Sequence, residues 1–190
     1  MSSEPAKTLP AQPTPAGIIA FWREAGPERW FKKDAGFDGE IRQRFLVTHE
    51  AAAAGKLTDW EQSAEGSLAL LILLDQFPRN MFRGEARAFA SDPLARSIAA
   101  GALVRGFDAQ VPAELRGFFY LPFEHSEILA DQERAVAFYK VIGDADGLKW
   151  AEIHADIVRR FGRFPHRNAL LGRATTPDEQ AFLDGGGFSG

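Results

Sequence analysis

Cysteine is absent from the 190-residue chain, which excludes disulfides, thiolate metal centres and a cysteine nucleophile. Tyrosine and methionine occur twice each, against 16 phenylalanines, so most of the aromatic surface is purely apolar and suited to a core. Long hydrophobic runs are missing too. The longest unbroken apolar stretch, residues 68–74, falls far short of the roughly 20 residues that span a bilayer. The N-terminal region has no apolar signal core, so the expected location is cytoplasmic, with no membrane partner. Nor is there a basic excess: 22 basic and 26 acidic residues give a net charge of −4, which argues against a nucleic-acid partner. Several catalytic signatures are also absent, among them a P-loop, a GxGxxG turn after a strand, a GxSxG elbow and a metal-binding HExxH helix.

What the chain does contain is helix punctuation. Residues 1–13 hold three prolines and little to bury, and are expected to form a flexible tail. A single α-helical domain is expected over 14–190. Thr14-Pro15 reads as a cap followed by proline in the first turn, leading into Ile18, Ile19, Phe21 and Trp22 on an apolar face. Pro27 opens a short aromatic segment with Trp30 and Phe31. Asp38 is the expected cap of the next helix, which carries Ile41, Phe45, Thr48 and Ala52 and stops at Gly55. Thr58-Asp59-Trp60-Glu61 has the form of a capping box, and the helix it opens should be the buried centre, ended or kinked at Pro78. Ser91-Asp92-Pro93 starts a further helix, and Pro112 a short one closed by Pro122. Helices over about 126–142 and 147–161 follow, and Thr176-Pro177-Asp178-Glu179 caps the last. No segment alternates with period two, so the expected fold is all-α: eight or nine helices in a compact array without a sheet.

One short echo stands out. Phe77-Pro78-Arg79-Asn80 recurs as Phe164-Pro165-His166-Arg167-Asn168. The segments 73–80, 121–127 (Leu-Pro-Phe-Glu-His-Ser-Glu) and 160–168, with Trp30-Phe31 and Gly172-Arg173, resemble a bacterial family of unknown function, domain of unknown function 924. The likeness runs from about residue 16 to 183 and implies a tetratricopeptide-like helical fold. It implies no activity.

Candidate site residues come from the same three motifs. Asp75, at the end of an apolar helix, needs a cation if it is buried, and Arg79, Arg83, Arg163 or Arg167 is in place to supply one. Residues 157–173 carry five arginines and no acid, a local positive field in an acidic chain. Arg163, His166, Arg167 and Asn168 lie in a loop, where forked guanidiniums suit an anion as well as a neighbouring carboxylate. Asn80 accompanies Arg79 at the matching corner. Glu124 and Glu127 would share a face if the helix extends that far, where a like-charged pair splits its pKa values and supplies an acid and a base; solvation or pairing with arginine is the expected outcome. His125 falls at a helix start and His154 on a helix face, while His49 should be partly exposed. The histidines and glutamates lack metal-ligand spacing, so neither a metal nor a cofactor is expected. Asp75, Arg79, His125, Arg163 and Arg167 are expected to converge on one region. The reading this supports is a domain that binds a small anionic metabolite or a peptide carboxylate in an arginine- and histidine-lined groove. A hydrolase-type enzyme using glutamate and histidine, with or without a divalent metal, and a protein–protein scaffold are the alternatives. Oligomeric state is left open.

Overall fold

The computed structural model describes residues 13–188. The tail expected over 1–13 lies, but for Pro13, outside the described residues. Within them the chain is helical with no strand. The α-helices are α1 (Pro15–Ala25), α2 (Pro27–Trp30), α3 (Ala35–Ala53), α4 (Ala64–Leu71), α5 (Phe77–Met81), α6 (Asp92–Val104), α7 (Leu121–Glu124), α8 (Leu129–Ile142), α9 (Ala145–Phe161) and α10 (Pro177–Asp184). A π-helical turn, Ile72–Gln76, joins α4 to α5 in one continuous rod, so nine rods are present.

That rod is the centre of the molecule. Leu68 to Leu74 are all at most 2% exposed, because helices pack on every side: α1, α3 and α6 all contact it. One end of the core is aromatic. Trp22 stacks on Trp30 at 5.9 Å and meets Phe77 and Phe118 edge-on at 5.5 and 5.9 Å. The Trp30 indole N–H donates to the Trp22 carbonyl at 2.6 Å, which fixes the corner between α1 and α2. A smaller cluster of Ile157, Val158 and Phe164 lies between α9 and the C-terminal segment.

Helix boundaries depart from the sequence expectation in instructive ways. The Thr58 capping box does not form: Thr58–Gln62 is a 3-10 turn without a side-chain cap, and Ser63 caps α4 by accepting from the Gly66 N–H. The chain doubles back there because Gly66 rests on the Trp60 carbonyl, where a Cβ would overlap it. Asp34, not Asp38, caps α3. Asp38 is free one turn later to bind Asn80 and Arg83. The segment after Pro112 is a 3-10 helix, Ala113–Phe119, and Pro122 opens α7 rather than closing its predecessor. Helix α8 begins at Leu129, three residues later than expected. The starts at Thr14, Ser91 and Thr176 are as read, the last with a full capping box.

Pro78 neither ends nor sharply breaks the central rod, because the π turn accommodates it. The Phe77 N–H reaches back five residues to the Ile72 carbonyl, and Pro78 has no N–H to give. The carbonyls of Leu73 and Leu74 thus lose their helical donors. His49 bonds the Leu73 oxygen at 2.9 Å, and the Ser91 hydroxyl donates to the Leu74 oxygen at 2.6 Å. His49 is therefore buried, 4% exposed, and not partly exposed as its alanine-rich surroundings suggest. Burial pushes its pKa down, partly offset by the bond to Leu73.

Candidate functional site

A cavity of about 420 Å³ opens where the π turn and α5 face the loop after α9. Its size suits a small organic molecule. The two echoed corners form opposite walls: Gln76, Arg79 and Asn80 on one side, Phe164, His166 and Arg167 on the other. His125, the C-cap of α7, and His154, from the middle of α9, complete the polar surface. Trp30, Phe31, Phe89 and Phe188 supply an aromatic rim, and Lys33 and Arg83 stand at the edge. Among the described residues no acidic one lines it.

The carboxylates stand one layer behind. Asp75 is fully buried and accepts from His125 Nδ1 at 2.8 Å and Gln76 Nε2 at 2.5 Å, with Arg79 at 3.4 Å. Burial alone would raise its pKa, but the charges of His125 and Arg79 and the bonds from His125 and Gln76 outweigh it and hold the carboxyl down to about 2. Glu124 accepts from His154 Nδ1 at 2.5 Å. Each imidazole is thus oriented by a carboxylate at Nδ1, an arrangement that leaves Nε2 as the working nitrogen. His154 Nε2 is buried and has no hydrogen-bond partner. The corner that carries His125 is braced by Gln132, whose amide donates to the Glu124 and Ser126 carbonyls at 2.6 and 2.5 Å.

Asp92, the first residue of α6, links the two arginine corners. It accepts a forked pair of bonds from Arg79, both 3.1 Å, and lies 3.6 Å from Arg167. Arg167 is 6% exposed and sandwiched between the rings of Phe89 and Phe164 at 4.5 and 4.6 Å. Its Nε has no partner. Burial, then the neighbouring Arg79 charge, pushes its pKa down to about 10. His166 is likewise pushed down to about 3, first by burial and then by the charges of Arg167 and His154, so its ring is neutral and its Nδ1 unpartnered.

Of the residues expected to converge, Asp75, Arg79, His125 and Arg167 do, with Asn80, Glu124, His154 and His166 around them. Arg163 does not. It forms a forked pair with Glu179 at 2.6 and 2.9 Å and donates to the Ala174 carbonyl. Its side chain holds the Glu179 carboxyl down to about 2. Asn168 also donates to Glu179, at 3.1 Å, and Arg173 bonds the Asn168 oxygen. Glu127 is taken by Arg173, at 2.7 and 3.0 Å, and by the Phe164 N–H at 2.8 Å. Arg163, Asn168 and Glu127 therefore belong to a clasp that ties α10 and the loop before it to the corner after α7. The acid–base pairing of Glu124 with Glu127 is not formed either. Helix α7 ends at Glu124, so the two carboxylates diverge, and Arg173, together with the Phe164 N–H, lowers the Glu127 pKa against the effect of burial.

Asp92, Phe89 and Phe188 were not legible as site residues. Only Asp92 carried a signal, as a helix start, and nothing local tells a helix-starting aspartate from one that joins two arginines. His125 lies at a helix end rather than a start, and its partner is Asp75, 50 residues away. No group of three histidine, aspartate or glutamate side chains is arranged to hold a metal ion among the described residues. No helix there is long and apolar enough to cross a membrane.

Comparison with known proteins gives the same picture of the fold. No curated protein matches the chain. A solved structure of ATU0120 from Agrobacterium tumefaciens, a protein of unknown function, is 52% identical and superposes with a TM-score of 0.87. The match covers 90% of this chain and 97% of that one. A family model described as bacterial protein of unknown function (DUF924) matches residues 18–187. With nearly the whole helical array inside that match, this chain belongs to that bacterial family.

Proposed function

We propose that the chain binds a small anionic molecule with an apolar body in the cavity between the two echoed corners. One observation carries this reading: among the described residues the cavity is lined by Arg79, Arg167 and three histidines and by no acid, and the buried Nε of Arg167 has no partner there. A buried, unsatisfied guanidinium N–H costs stability, and an incoming oxyanion removes that cost. The partial layer of carboxylates behind the wall keeps the cations in place without occupying them fully: Asp92 serves both Arg79 and Arg167. The aromatic rim suits the apolar part of such a ligand, and the volume favours a metabolite over more than the terminus of a peptide. The tetratricopeptide-like character implied by the family resemblance, with its concave faces, and a cytoplasmic place of action belong to the same reading. The scaffold alternative draws little support from the surface. The most exposed apolar side chains, Val47, Val104 and Val141, sit singly on α3, α6 and α8.

The test is denaturation with and without phosphate, sulfate or a dicarboxylate. At 100 times its dissociation constant a ligand specific to the native state adds about 2.7 kcal/mol. The expected result is stabilisation that Arg167→Met abolishes. Stabilisation of equal size in the variant would place the anion elsewhere and overturn this reading.

A further inference from the structure

The two carboxylate–histidine pairs do more than an anion site requires. Arginines alone hold an oxyanion, yet two imidazoles are each oriented at Nδ1 by a buried carboxylate toward the same cavity. Fixed imidazoles beside guanidiniums are the parts of a proton-transfer site acting on an oxyanion. From this geometry we propose that the cavity hydrolyses phosphate monoesters of an apolar alcohol, with His125 as general base and His154 as general acid. The proposal rests on the anion-binding reading above.

The roles follow from charge. Asp75 has a guanidinium, Arg79, within 3.4 Å besides its histidine, so its charge is shared, and His125, held at Nδ1, presents Nε2 to the cavity as the base. Glu124 has no guanidinium within ion-pair distance among the described residues, so its whole charge falls on His154, at 2.5 Å, and this ring takes the acid role. His154 Nε2 is buried without a partner among the described residues, and Arg167 Nε is a second such atom. Both need an oxygen. The phosphoryl oxygens sit against Arg79 and Arg167, and the ester oxygen against His154, with the apolar group among Phe89, Phe164 and Phe188. Water then forms a bond to phosphorus while the ester P–O bond breaks. His125 Nε2 takes the proton that water loses, and His154 Nε2 gives its proton to the departing alkoxide. The products are the alcohol and hydrogen phosphate, and exchange with solvent moves the proton back from His125 to His154. The groups that face the two rings are Asp75 and Arg79 at His125, and Glu124 and His166 at His154.

The experiment uses the full chain with benzyl phosphate, whose alkoxide needs a proton to depart, for turnover and inorganic phosphate for binding. Release of benzyl alcohol above the uncatalysed rate is expected, with a bell-shaped pH profile. His125→Gln and His154→Gln should each lower kcat by about 100-fold or more while phosphate still stabilises the protein. No turnover with phosphate stabilisation intact overturns the catalytic proposal and leaves anion binding standing. No stabilisation by phosphate overturns both. Unchanged kcat in either folded variant also overturns it, and if a variant fails to fold, a flat or single-limbed profile of the unaltered protein does the same.

Discussion

Arg167 shows what distinguishes a working residue from a clasp. Arg163 makes three hydrogen bonds to Glu179 and Ala174. Arg167 has a single 3.6 Å approach to Asp92, an idle Nε and another guanidinium nearby. Its depressed pKa means that the charged form is worse off in the folded chain than in the unfolded one, a penalty present at every pH below about 10. Arg167→Met keeps the packing between Phe89 and Phe164, and Asp92 keeps its forked partner Arg79. The expected outcome in urea denaturation is a variant between equal in stability and about 2 kcal/mol more stable. Loss of several kcal/mol would make Arg167 a structural clasp. Groups that the empty fold does not need are a mark of functional sites.

At the scale of elements, the π turn decides where the chemistry goes. It widens the central rod just where Asp75 and Gln76 must face His125, and it leaves the Leu73 and Leu74 carbonyls to be satisfied from α3 and the start of α6. Ser91→Ala removes the donor to the Leu74 oxygen in a buried setting, and a stability loss of about 1–3 kcal/mol is expected from chemical denaturation. Because that bond holds the segment next to Asp92, the variant should also weaken the anion response. A loss below about 0.3 kcal/mol would mean that the carbonyl finds another donor. The turn itself was not legible in advance. Pro78 announces a disturbance, but whether a helix ends, kinks or widens there depends on side chains from α3 and α6 that reach it only in the folded chain.

For the whole molecule, the buried ionisable groups set a common acid limit. His166 titrates at about 3 in the folded chain against 6.5 ordinarily. Between those values the unfolded chain holds a proton that the native one lacks, so stability rises with pH in that window and falls as acid is added. Asp75, Glu127 and Glu179 have lowered pKa values, so their contribution is present above the usual carboxylate range and is lost as pH falls through the folded values. The expected outcome is a loss of stability starting near pH 6.5 and steepening below about 4. His166→Gln should flatten the upper part, where one proton accounts for at most about 1.4 kcal/mol per pH unit. Denaturation midpoints measured from pH 7.5 to 3.5 check this; an unchanged upper slope in the variant refutes the assignment to His166.

Fold class and part of the helix punctuation were legible in the sequence. Helical periodicity and the caps at Thr14 and Thr176 are local signals, because hydrogen bonds at helix ends are made by residues a few positions away. The apolar run at 68–74 announced the buried rod, because a helix that is apolar all round must be covered all round. Local signals also picked the motifs that carry Asp75, Arg79, His125 and Arg167. What only the tertiary structure decided was the sorting of those motifs into a clasp and a cavity. Arg163 and Arg167 stand four residues apart in one loop, and only the folded chain shows that Glu179 saturates the first while Asp92 half-serves the second. Charge and hydrogen-bond satisfaction are properties of neighbours in space, and these neighbours are brought together from distant parts of the chain.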